Sequence, residues 1–141
     1  MSVRQISIFV ENKPGRLARI TKVLADNDIN IRALCVADTA DFGILRLIVT
    51  DTDKAVGALR ECGASVSVAE VLAVNMNDKP GALNTAAEAL AAKGISVEYV
   101  YAFTTPNIGE AFLIMRVDDN EAAKKALTDA GMQVEDEIEG L

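Results

Sequence analysis

Ile6, Ile8 and Val10 alternate with Gln5, Ser7 and Phe9 at the start of the chain, the period of a strand with one buried face. Lys13-Pro14-Gly15 breaks that alternation, and the spacing turns helical, with Leu17, Ile20, Val23 and Leu24 on one side. Proline near the first helical position suits a helix entry, because its missing N–H has no partner to lose there. The helix is predicted to fray at Asn27-Asp28. A strand over 29–37, a turn over 38–42 and a strand over 43–50 follow, the last with Leu45, Leu47 and Val49 on one side. Asp51-Thr52-Asp53 caps a second helix that turns Ala55, Val56, Leu59 and Cys62 inward and stops at Gly63. A last strand starts near Ser65, giving the order βαββαβ.

The pattern then repeats. Asn12-Lys13-Pro14-Gly15-Arg16-Leu17 returns as Asp78-Lys79-Pro80-Gly81-Ala82-Leu83, 66 positions later, and Leu24, Ala25 and Ile29 return as Leu90, Ala91 and Ile95. Leu59 to Gly63 matches Leu127 to Gly131 at an offset of 68, which places two extra residues near Asp118 to Ala122. The second half is predicted to bear Leu83, Ala86, Ala87 and Leu90 on its first helix, with Gly94 as the stop. Strands over 95–103 and 110–117, a turn at Thr105-Pro106-Asn107, a helix after Asp118-Asp119-Asn120 and a final strand over 133–138 complete it. The fold class is α+β: two ferredoxin-like βαββαβ modules in tandem, over 1–69 and 70–141, with antiparallel sheets backed by helices. Residues 66–76 are apolar and lack Gly and Pro, so the halves are expected to pack as one unit rather than hang on a tether.

Composition removes several functions. Fourteen Lys and Arg stand against 21 Asp and Glu, a net charge of −7, which excludes a basic nucleic-acid face. There is no histidine, so His general bases, Ser–His and Cys–His nucleophiles and His metal ligands are absent. Cys35 and Cys62 are not spaced as a redox pair and read as buried reduced thiols. Asp118 to Glu121 reads as helix capping rather than a metal site. Tyr99, Tyr101 and Phe103 share one strand face and suit packing. No apolar run approaches ~18 residues and no signal peptide opens the chain, so a soluble cytoplasmic protein without cofactor or membrane partner is expected.

The strand-to-helix loop is the most informative stretch. Backbone N–H groups and the helix dipole there attract an anion such as a carboxylate, and Gly15 lets a small ligand approach. The competing explanation is structural: Asn12 or Asp78 caps the helix and Pro-Gly is punctuation. Together with Asp28-Ile29-Asn30-Ile31 and Gly94-Ile95-Ser96-Val97, the twice-repeated loop and strand order resemble the ACT domain, a family of small regulatory modules that bind amino acids. The resemblance spans essentially the whole chain and implies a tandem pair expected to act with no catalytic domain attached.

In serine-sensing ACT domains of the phosphoglycerate dehydrogenase type, a loop Asn and an Asn opening the second strand hold the ligand across two modules. The resemblance places Asn12 and Asn30 at those positions, with Val10, Pro14, Gly15, Arg16 and Leu17 around the loop. An Asn amide can accept from an ammonium and donate to a carboxylate. That family's loop is preceded by a His where this chain has Val10, which favours an apolar or aromatic amino acid. The second half offers Asp78, Gly81, Ala82, Leu83 and Ser96, and an ionised Asp78 repels a carboxylate. The implied protein is a non-catalytic sensor, a homodimer of tandem chains acting on an unnamed enzyme partner. The alternative is an acylphosphatase-like hydrolase using Arg16 and Asn30, although the chain shows no phosphate-loop pattern. An RNA-recognition module fails on charge and on the missing aromatic-rich basic strand.

Overall fold

In the computed structural model, which describes residues 3–38, 42–77, 79–104 and 109–136, the first half builds β1 (Val3–Glu11), α1 (Arg16–Asp26), β2 (Ile31–Asp38), β3 (Phe42–Val49) and α2 (Thr52–Glu61). A 13-residue strand, β4 (Ser65–Asn77), leads into the second half. There α3 (Ala82–Ala91), β5 (Val97–Thr104), β6 (Glu110–Val117), α4 (Asn120–Asp129) and β7 (Gln133–Glu135) follow. The chain divides into two compact units, one spanning Arg4–Ala69 and one containing the residues from Glu70 on, and the boundary falls inside β4. Among the described residues no helix is long and apolar enough to cross a membrane.

Both halves obey the predicted ferredoxin-like logic. In the first, β1 pairs antiparallel with β3, and β3 with β2; in the second, β6 lies antiparallel between β4 and β5, and β7 pairs β4. Ile6 and Ile8 of β1, and Leu45 and Leu47 of β3, meet Ile20 and Leu24 of α1 and Ala55 and Leu59 of α2 in one core. Leu72, Val74, Leu113 and Met115 meet Leu90, Ala86 and Leu127 in the other. Burying a Leu or Ile side chain stabilises by roughly 1.5–3 kcal/mol, so these clusters hold helices to sheet.

Capping works as the sequence implies. Asp51 accepts from the Lys54 N–H and Asp119 from the Ala122 N–H, each at 3.1 Å. Gly63 ends α2 with φ +89°, its N–H donating to the Arg60 carbonyl at 3.0 Å while Ala64 donates to Leu59 at 3.1 Å. Phe103 stacks on Phe112, centroids 5.5 Å apart, which accounts for one of the three strand aromatics; Tyr99 and Tyr101 are half-buried.

Four expectations are corrected. The two extra residues of the second half lie before Glu110, not near Asp118 to Ala122: Ile8 faces Leu45, whereas Val74 faces Leu113, so the offset is already 68 at the third strand. The connection between hairpin strands absorbs the change, which leaves both core registers intact. Leu17 and Leu83, assigned to the helix stripes, are 50% and 49% exposed, and Ala87 is exposed too. In the first turn both leucines point outward, and the buried stripe begins at Ile20 in α1 and at Ala82 in α3. Both cysteines are half-buried rather than buried; Cys62 Sγ donates to the Leu59 carbonyl at 3.0 Å. The final strand is described as ending at Glu135, while the turn at 105–107 and residues 137 and 138 lie outside the described residues.

Candidate functional site

The Lys-Pro-Gly triplet folds the same way twice. The Arg16 N–H donates to the Lys13 carbonyl at 3.3 Å, closing a four-residue turn with Pro14 second and Gly15 third. Gly15 has φ +87° and ψ −11°, the third-position geometry of a type II turn. Ala82 and Lys79 close the equivalent turn at 3.3 Å, with Gly81 at φ +90° and ψ −8°. Proline pre-sets one position, and glycine alone takes the left-handed one without strain. Pro14 therefore lies two residues before α1, not at its first position.

Neither Asn12 nor any other side chain caps α1. Gly15 itself is the N-cap, and its carbonyl accepts from Arg19 at 3.0 Å. The N–H groups of Leu17 and Ala18, in the first turn, have no intrahelical acceptor. The capping explanation for Asn12 is thus overturned, because a turn closed by the backbone places glycine where a capping side chain belongs. An uncapped positive helix end is what remains.

Around this end lies a small cavity of about 170 Å³, lined by Val10, Asn12, Arg16 and Leu17 and walled by Val36 and Leu45. Glu11 also lines it and accepts from Lys13 at 3.1 Å, with Arg16 at 3.6 Å. The hydrogen bond from Lys13, then the charges of Lys13 and Arg16, hold the Glu11 carboxyl below its ordinary range. One carboxylate against two cations leaves the loop positive in a chain whose net charge is −7.

Val10, Asn12, Arg16 and Leu17 are therefore brought together, with Pro14 and Gly15 shaping the loop. Asn30 is not among them. It lies exposed beyond the far end of α1, and an 11-residue helix spans ~16 Å at 1.5 Å per residue. Its backbone N–H donates to Thr50 Oγ1 at 3.1 Å, and its carbonyl accepts from the Thr50 N–H at 3.0 Å. Arg16 and Asn30 stand at opposite ends of the helix, so the pair a hydrolase needs does not assemble within this unit. In the second half Ser96 is exposed just before β5, Ala82 is buried under the turn, and Leu83 is exposed. Asp78 lies outside the described residues.

A second hollow was missed by sequence reasoning. A groove of about 280 Å³ opens between the end of β1, α1 and the start of β4; Arg16 and Arg19 line it with Phe9 and Phe42, above Cys62 to Ser65. Arg19 donates to the Cys62 carbonyl at 3.1 Å. The second half has its counterpart, about 410 Å³, where Ala82 and Thr85 replace the arginines, and Asn75 and Glu110 replace the aromatics. Arg16 and Arg19 are one helical turn apart, a signal readable in sequence; Phe42 reaches the groove only through the fold.

A family model described as an ACT domain pair matches residues 1–139. No curated protein matches the sequence. A solved structure of a protein from Bacteroides thetaiotaomicron is 39% identical, covering 96% of this chain and 92% of that one, with a TM-score of 0.89. The ligand-free regulatory subunit of aspartate kinase from Thermus thermophilus superposes with a TM-score of 0.68 at 18% identity, over 92% of this chain and 93% of that one. The corresponding subunit from Thermus flavus gives 0.66 at 18% identity, over 93% and 94%. At that identity the Thermus structures show a shared fold.

Proposed function

The chain belongs to the family of ACT domain pairs, and on that premise we propose that it is a ligand-sensing regulator whose ligand is a free amino acid. It has no catalytic activity of its own in this reading and acts on an enzyme partner. The observation that carries the proposal is the uncapped N-terminus of α1 above the cavity lined by Val10, Asn12 and Leu17.

The ligand carboxylate lies against the Leu17 and Ala18 N–H groups, where the dipole and the positive loop favour it. Asn12 accepts from the α-ammonium. At about 170 Å³ the cavity is below the ~300–1,000 Å³ of drug-sized pockets, so it suits one apolar or aromatic side chain rather than a cofactor. Asn30 completes the site from a neighbouring module, because it cannot reach its own loop, and the natural assembly is a homodimer of tandem chains. The first half is the working site, since Ala82 replaces Arg16 and Ser96 replaces Asn30 in the second. Two Thermus neighbours are regulatory subunits of aspartate kinase, which supports the same use of the fold here.

A thermal-shift screen of free amino acids tests this. Ligand at ~100 times its dissociation constant adds roughly 2.7 kcal/mol to the folded state. An apolar or aromatic amino acid is expected to raise the melting temperature; no shift with any of them overturns the proposal.

A further inference from the structure

We propose that the groove between α1 and the start of β4 in the first half is a second binding site, for a small aromatic carboxylate, adjoining the amino-acid cavity and sharing Val10, Glu11 and Arg16 with it. Two arginines face it against one glutamate, whereas the second-half groove has one lysine against one glutamate. Arg19 is held in place by its 3.1 Å hydrogen bond to the Cys62 carbonyl, which uses one edge of the guanidinium and orients the planar group. A fixed guanidinium is the donor best matched to a carboxylate, through two parallel N–H donors.

The apolar wall is equally specific. Glu11 pairs with Phe42 across β1 and β3, and Phe9 is two residues from Glu11, so Phe9 and Phe42 share the sheet face opposite Ile8 and Val10, and both residues line the groove. Phe9 is 62% exposed and Phe42 49%, unusual for aromatic rings on a chain with only four Phe. Exposed aromatic surface beside a positive group offers ring contact to an aryl acid and charge to its carboxylate. The hollow of about 280 Å³ admits such a molecule. The second half shows that the fold requires neither feature, since Thr85 and Glu110 occupy the positions of Arg19 and Phe42.

The second half also supplies the test substitutions. Benzoate titrated into the full-length protein is expected to move the backbone amide resonances of Ala64 and Ser65 saturably, while acetate and benzyl alcohol at equal concentration do not. Arg19→Thr removes a charged hydrogen bond and should weaken benzoate by roughly 10- to 150-fold. Phe42→Glu leaves the Arg19–Cys62 contact in place and should weaken it too, which guards against a folding defect in Arg19→Thr. Asn30→Ala should leave benzoate affinity unchanged, so failure of the amino-acid reading and failure of this one are told apart. Absence of saturable shifts, or equal benzoate affinity in wild type and both groove variants, overturns the proposal.

Discussion

Asn30 and Thr50 are joined by two hydrogen bonds, and both use the backbone of Asn30: its N–H donates to Thr50 Oγ1 at 3.1 Å and its carbonyl accepts from the Thr50 N–H at 3.0 Å. The side-chain amide takes no part in either bond. Asn30→Ala should therefore fold like wild type, within a few tenths of a kcal/mol. If the amide meets the ligand across a module interface, amino-acid affinity should fall by roughly 10- to 150-fold. Calorimetry on wild type, Asn30→Ala and Ser96→Ala decides it: equal affinity in wild type and Asn30→Ala ends the shared site, and a loss in Ser96→Ala alone moves it to the second half.

Gly15 and Gly81 sit at φ +87° and +90°, and a Cβ at either would meet nothing within 4 Å. Space is therefore not the constraint; backbone conformation is. Gly15→Ala and Gly81→Ala should each destabilise by about 1–2 kcal/mol, the cost of a left-handed L-residue. The two turns lie in different units, so the double variant should be near additive in urea unfolding. A steric account of these glycines predicts a much larger loss and is separated by the same measurement.

Much of this was legible in the chain because it is local. Asp51 and Asp119 announce their helices, and Gly63 and Gly131 end theirs, through bonds made within a few residues. The position of the two-residue insertion was not legible. A strand has a side-chain period of two, so sliding β6 by two residues leaves its apolar alternation unchanged; only its pairing with β4 fixes Leu113 opposite Val74. Leu17 misled for a related reason: it lies on the same helical stripe as Ile20 and Leu24, and nothing in that stripe says where burial begins. The loop chemistry was visible, but the type II turn that displaces Asn12 from capping depends on a glycine dihedral. The groove joins Phe9, Arg19, Phe42 and Cys62, residues from four elements and connections that only tertiary structure assembles.

Glu11 gives a pH dependence whose sign is fixed. Its carboxyl is held below the ordinary 4.5 by the hydrogen bond from Lys13 and by the charges of Lys13 and Arg16. A lowered folded-state pKa means that the unfolded chain binds the proton more readily, so the contribution is fully present above about pH 4.5 and lost as pH falls through the folded value. The effect is small because the group is exposed. Glu11→Gln should narrow the gap between melting temperatures at about pH 7 and about pH 3.5, relative to wild type. An unchanged gap shows that the pairing adds nothing to folding.

The proposed homodimer is tested at the margins of the two sheets. Among the described residues β2 pairs only with β3 and β5 only with β6, which leaves each strand with one open edge. On β2, Leu34 and Val36 are 57% and 51% exposed although they share a face with Leu47 and Leu45 of the core. Leu17 adds a third apolar side chain beside Val36 at the loop cavity. Soluble monomers blunt such edges with charge, and this one is apolar. In the proposed assembly, the Asn30 that completes the loop comes from another module rather than from its own. Light scattering at micromolar concentration is expected to give twice the 15.0 kDa of one chain. Leu34→Lys combined with Val36→Lys should return it to one chain without unfolding either unit, since both positions are exposed. If the ligand spans that interface as proposed, amino-acid binding and association are coupled reciprocally, and the same double variant should lose amino-acid affinity in proportion. A wild-type mass of 15.0 kDa, or undiminished affinity in the dissociated variant, would remove the interface from the mechanism and leave Asn12 and the helix end to bind alone.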